Sequence, residues 1–117
     1  QKANVRQFET GATRDTDENK LDYDGFLSPL VIKKFGEYMD KHRLQIDGTL
    51  RGSDNWKNLF GEEHYSVCMK SAWRHFMDRW LEHHKLKSRE GMDDALCGML
   101  FNVMAYIHAV ESEKLNV

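Results

Sequence analysis

A chain of 117 residues is the size of one ordinary domain, and 40% hydrophobic with 11% aromatic residues supplies one modest core. Seventeen basic residues against nineteen acidic ones leave a formal charge of −2, which excludes the dense cationic face needed to bind duplex nucleic acid. No apolar run approaches the roughly 20 residues of a bilayer span and no secretory segment opens the chain, so the expected location is cytoplasmic, without a membrane partner.

Cys68 and Cys97 lie inside helical patterns and read as small buried hydrophobes in a reducing compartment. At this length only about two thirds of the unfolded surface can be buried, so size alone argues for a homo-oligomer.

Residues 1–26 are polar and aperiodic, and Gly11 with the Thr-Arg-Asp-Thr-Asp cluster predicts an extended N-terminal arm without strands. Ser28-Pro29 is a helix start, a hydroxyl cap followed by a residue that needs no N–H partner. Leu27, Leu30, Val31, Phe35, Tyr38 and Met39 then recur as one apolar stripe up to about His42. Residues 44–62, with Gly48, Gly52 and Gly61, form a long structured loop that Leu44, Ile46, Leu50, Trp56, Leu59 and Phe60 could pin to the body.

A second helix is predicted over about 62–84, with Tyr65, Met69, Trp73, Phe76, Met77 and Trp80 as its core face. A third, capped by Ser88, spans about 89–112 and buries Met92, Ala95, Leu96, Met99, Leu100, Val103 and Ile107. The short link makes these two an antiparallel hairpin. The expected fold is therefore all-α: three main helices in one domain over 27–112, an arm over 1–26 and a tail over 113–117.

The chemistry-bearing region runs from Ser71 to Asn102. His75, Asp78, Arg79 and Glu82 share one helix face, and Glu90 stacks with Asp94, with Asp93 beside it. The hairpin can face these sets toward each other as His75-x-x-Asp78, eleven residues, Glu90-x-x-Asp93. Carboxylates are the natural ligands of Mg²⁺, so Asp78, Glu90, Asp93 and Asp94 are candidate ligands, and Arg74 or Arg79 could hold a phosphate. A solvated charged face fits the same pattern. Asn102 sits among apolar neighbours, where a hydrogen bond between helices explains it as well as a ligand does.

Arg14, Asp15, Lys20 and Asp22 form a charged cluster in the arm. Trp56 either anchors the loop or stacks on a base. No nucleophile–base pair, glycine-rich phosphate loop or zinc-type spacing occurs.

Lys20-Leu21-Asp22-Tyr23 before a Leu-Ser-Pro helix start, Asn55-Trp56, Arg74-His75 with Trp80, and Gly91-Met92-Asp93-Asp94-Ala95-Leu96-Cys97 leading to Phe101-Asn102 stand in an order that resembles the N-terminal domain of the phage and prophage dATP/dGTP diphosphohydrolase family. The likeness covers about residues 10–112. It implies a phage-encoded protein in the host cytoplasm that releases pyrophosphate from purine deoxynucleoside triphosphates, in the manner of MazG-like all-α pyrophosphohydrolases, with Mg²⁺ (or Mn²⁺) held by an ExxE…ExxD pattern. Here His75 stands where that pattern has its first glutamate.

Two functions follow as expectations. In the first, an enzyme uses His75, Asp78 and Asp94 for catalysis, Asp78, Glu90, Asp93 and Asp94 for the metal, and Arg14, Lys20, Trp56, Arg74 and Asn102 for the nucleotide. In the second, the same scaffold sequesters a nucleotide or nucleotide-derived signal without turnover.

Overall fold

The computed structural model describes residues 5–16 and 18–115, and the chain divides into two units, Gln1–Ile32 and Lys33–Val117. The expectation of a strandless arm is corrected. Strands β1 (Val5–Gln7) and β2 (Thr13–Asp15) pair antiparallel, with Arg6 opposite Arg14. Gly11, at φ +90°, supplies the left-handed residue of the connecting turn. Strands of three residues are too short to display a two-residue period, which is why the sequence pattern conceals them. A short helix α1 (Tyr23–Phe26) follows, capped by the Asp22 carboxylate, which accepts the Gly25 N–H at 2.9 Å.

Helix α2 (Pro29–Lys41) starts where Ser28 Oγ accepts the Val31 N–H. Of its predicted apolar stripe only Tyr38 is buried, while Leu27, Leu30 and Val31 are exposed. The loop after it is locally built: Leu44 bridges Leu50, and Asp47 accepts from the Thr49 hydroxyl at 2.6 Å. Leu44, Ile46 and Leu50 do not pin it, since all three face solvent. Trp56 does, from a 3-10 turn over Asn55–Asn58, with its ring 6.1 Å from Phe101 and 5.1 Å from His108.

Helices α3 (His64–His83) and α4 (Gly91–Leu115) form the expected antiparallel hairpin and carry most of the packing. The residues between them are small or polar. Ala95, Gly98, Asn102, Ala105 and Ala109 recur along α4 at spacings of three and four and are all buried. Facing them on α3 are His64, Cys68 and Asp78, also buried, with half-buried Ser71 and His75. His64 is satisfied there, its Nδ1 accepting the Phe60 N–H and its Nε2 lying 2.9 Å from the Ala105 carbonyl oxygen.

Trp73, Phe76 and Trp80, expected in the core, lie on the far side of α3 and remain 61%, 36% and 49% exposed. Leu96, Leu100, Val103 and Ile107 of α4 are exposed as well. The physical reason is close approach: a seam of alanine, glycine and cysteine lets two helix backbones come near each other, and the bulky side chains must then point outward. Contrary to the expectation from apolar run length, α4 is also long and apolar enough to cross a membrane by length and composition.

Helix α3 ends in a left-handed residue, Lys85 (φ 61°), with the Leu86 N–H on the Leu81 carbonyl and the Lys85 N–H on Glu82. Glycine adopts this conformation without the Cβ clash. Lys85→Gly is expected to stabilise the protein by about 0.5–1 kcal/mol, read by thermal or urea melting.

Candidate functional site

Three residue types that bind cations converge where α3 meets the start of α4. His75 and Asp78, one turn apart on α3, face Glu90 in the residue before α4. One ligand atom from each lies within 4.8 Å of the others. His75 Nδ1 and Glu90 Oε1 are in direct hydrogen-bond contact, both side chains largely shielded from solvent. Asp78 is buried and is held by Arg89, whose Nε donates to Oδ2 at 2.9 Å and whose backbone N–H donates to Oδ1 at 3.3 Å. These hydrogen bonds keep the Asp78 carboxyl below its ordinary range, against the opposing effect of burial. Ser88 sets the geometry of this corner by capping Gly91 N–H through Oγ at 2.8 Å while its hydroxyl donates to Glu82.

The His75 ring lies directly against the backbone of α4 at Gly98. A Cβ on that glycine would come within 2.5 Å of ring atoms Cε1 and Nδ1. One turn further on, the Asn102 amide donates to Ser71 Oγ at 3.0 Å and to the Gly98 carbonyl at 2.8 Å. This ties α3 to α4 beside the imidazole.

His75 and Glu90 also line a cavity of about 660 Å³, within the usual size range of small-molecule sites. Trp56 and Phe101 give it an aromatic wall, and Arg43 and Arg51 a cationic side. Arg43 Nε donates to the Arg51 carbonyl at 2.7 Å, and Arg51 Nη1 to the His42 carbonyl at 3.1 Å, so the two guanidinium groups are fixed in place with further donors left to each. Tyr38 also lines the cavity; burial, then the charges of Glu90 and Asp94, push its hydroxyl up to about 12, so it stays a neutral donor. Burial, then Lys41, lowers the His42 imidazole, favouring its neutral form.

Of the residues singled out in the sequence, His75, Asp78 and Glu90 come together, and Trp56 and Asn102 share the cavity with His75 and Glu90. Asp93 and Asp94, also expected as ligands, lie outside this cluster. Asp94 accepts from Lys41 Nζ at 2.7 Å and Asp93 pairs with Lys34 at 3.2 Å, because the lysines of α2 reach the start of α4 first. Arg74 is exposed on α3 and is not among the cavity-lining residues. Arg14, exposed in β2, and Lys20, exposed ahead of α1, belong to the N-terminal unit. Burial pushes the Cys68 and Cys97 thiols up, away from nucleophilic use.

Gly98, Arg89, Ser71, Tyr38, Arg43 and Arg51 escaped the sequence reading. Gly98 carried a usable signal: a glycine inside a helix costs about 1 kcal/mol against alanine and marks a close approach when nothing else explains it. The arginines carried none, since nothing in their spacing tells that the loop folds back over the hairpin. Comparison with known proteins found no matching family model, no matching curated protein and no matching solved structure.

Proposed function

We propose that this chain is a divalent-cation-dependent pyrophosphohydrolase of purine deoxynucleoside triphosphates. The observation that carries the reading is that His75 and Glu90 belong at once to a three-ligand cluster and to the wall of a cavity with aromatic and cationic sides. The resemblance of the motifs to the diphosphohydrolase family points the same way.

The donor set fits a cation. One imidazole with two carboxylates suits Mn²⁺ better than Mg²⁺, which prefers an all-oxygen shell. His75, Asp78 and Glu90 would hold it, once the Arg89 side chain, 60% exposed, swings off Asp78. Such a cation, when bound, stabilises charge on phosphate oxygens and makes water more acidic. Trp56 and Phe101 are placed to flank a base, and the remaining donors of Arg43 and Arg51 to neutralise phosphate charge. In the reaction, water oxygen bonds to the α-phosphorus, the bond to pyrophosphate breaks, and the water proton leaves to solvent.

The test is incubation of the pure protein with Mn²⁺ or Mg²⁺ and each deoxynucleoside triphosphate, following pyrophosphate and monophosphate. Turnover is expected with Mn²⁺, reduced at least about 100-fold in Glu90→Gln. A second reading, sequestration without turnover, is favoured by one observation: the cluster is internally satisfied, Asp78 by Arg89 and His75 by Glu90. Tight binding with the nucleotide recovered unchanged would establish that reading and end the hydrolytic one.

A further inference from the structure

Among the described residues, Tyr38 is the only phenylalanine, tyrosine or tryptophan that is buried, at 9% exposure. Its ring is gripped from several directions. His42 lies 4.3 Å away, Phe35 stacks at 6.4 Å, and Lys41 Nζ stands 5.7 Å over the ring while bound to Asp94 at 2.7 Å. A ring packed this closely has a fixed direction.

The hydroxyl at its tip makes no hydrogen bond among the described residues. A buried tyrosine hydroxyl normally finds a partner, because leaving it bare costs free energy. Tyr65 shows the usual arrangement, donating to Glu113 at 2.6 Å. The Tyr38 hydroxyl keeps some accessible surface, and Tyr38 lines the cavity together with His75 and Glu90. The charge of Glu90 reaches it. The bare donor therefore opens into the cavity on the side of the cation cluster.

Resting on the nucleotide reading above, we propose that Tyr38 binds the phosphate chain, its hydroxyl donating to a non-bridging oxygen next to the cation. First, the carboxylates around the hydroxyl are already taken. Glu90 is paired with His75 and Asp94 with Lys41, which leaves a ligand oxygen as the acceptor.

Second, Arg43 and Arg51 line the same cavity from the segment that follows α2. Three donors thus share the space in which phosphate oxygens, strong charged acceptors, would lie. Third, a phenol beside two carboxylates keeps its proton, so it donates to an anion instead of ligating the cation. The aromatic wall of Trp56 and Phe101 gives the base a place of its own.

Titration calorimetry in saturating Mn²⁺ tests this with α,β-methylene dATP, whose scissile bond is blocked, and with inorganic tripolyphosphate, which lacks base and sugar. Tyr38→Phe is expected to weaken both by at least about 10-fold. Mn²⁺ alone should bind the variant as it binds the native chain. The melting temperature without ligand should stay the same or rise, since the substitution removes a hydroxyl that no protein group satisfies. A structural role would lower it.

Equal affinity of native and variant for tripolyphosphate, or a loss confined to the nucleotide analogue, overturns the proposal and leaves hydrolysis standing. So does a variant that melts lower, fails to fold or loses Mn²⁺, and so does a native chain that takes the analogue but not tripolyphosphate. A native chain that binds neither probe ends the nucleotide reading and this proposal together.

Discussion

Gly98→Ala is expected to leave the helices folded and to weaken Mn²⁺ binding about 100-fold, with loss of hydrolysis in parallel. The substitution favours helix formation by about 1 kcal/mol in isolation. Here the new Cβ would sit 2.5 Å from the His75 ring, closer than non-bonded atoms tolerate. The ring cannot move away from the new Cβ without breaking the contact of Nδ1 with Glu90. It must leave its rotamer, and the cluster then keeps two carboxylates without the imidazole. Titration calorimetry with Mn²⁺, beside circular dichroism for helix content, separates the loss of a ligand from the loss of the fold. Unchanged Mn²⁺ affinity in this variant would show that His75 is not part of the cation site.

Arg89→Met is expected to lower the melting temperature at neutral pH by on the order of 5–10 °C and to invert its pH dependence. In the native chain the hydrogen bonds from Arg89 hold Asp78 below its ordinary value of 3.8. A depressed carboxylate contributes stability that is present above that unfolded value and is lost as pH falls through the folded one. Native protein should thus weaken in acid.

Without the guanidinium, burial is the largest single influence left on Asp78, opposed by the residue-89 backbone N–H and by Glu90, and its folded value is expected to rise above the unfolded one. Its contribution is then fully present below the unfolded value and is lost as pH rises through the raised one. Over about pH 2 to 7 the Asp78 contribution therefore rises with pH at the acid end in the native protein and falls with rising pH at the neutral end in the variant. Thermal melts across that range, compared with Asp78→Asn, measure it. Added Mn²⁺ should raise the melting temperature of Arg89→Met more than that of the native chain, because no guanidinium must first be displaced.

Both expectations concern a corner of the molecule that was partly legible in advance. The spacing His75-x-x-Asp78 followed by Glu90 places three donors on facing turns of any antiparallel hairpin with a short link, because helical periodicity alone fixes which side they share. The cap at Ser88 and the start at Ser28-Pro29 were legible for the same reason, since capping is a local exchange between a hydroxyl and nearby N–H groups. Asp93 and Asp94 match the carboxylate pattern equally well, and only Lys34 and Lys41 on α2 divert them. No local rule carries that information.

What the sequence determined by itself is the element plan: an antiparallel pair of long helices, a preceding helix with its cap, and a long loop between them. These follow from periodicity, capping and turn residues, all of which act within a few positions of chain. The tertiary structure decided which face of each helix turns inward. Hydrophobicity assigned the tryptophans of α3 to the core, yet the close contact runs along Ala95, Gly98, Ala105 and Ala109, and the aromatics stay outside. Which seam closes depends on how near two backbones can come, a property of the pair of helices that neither displays alone.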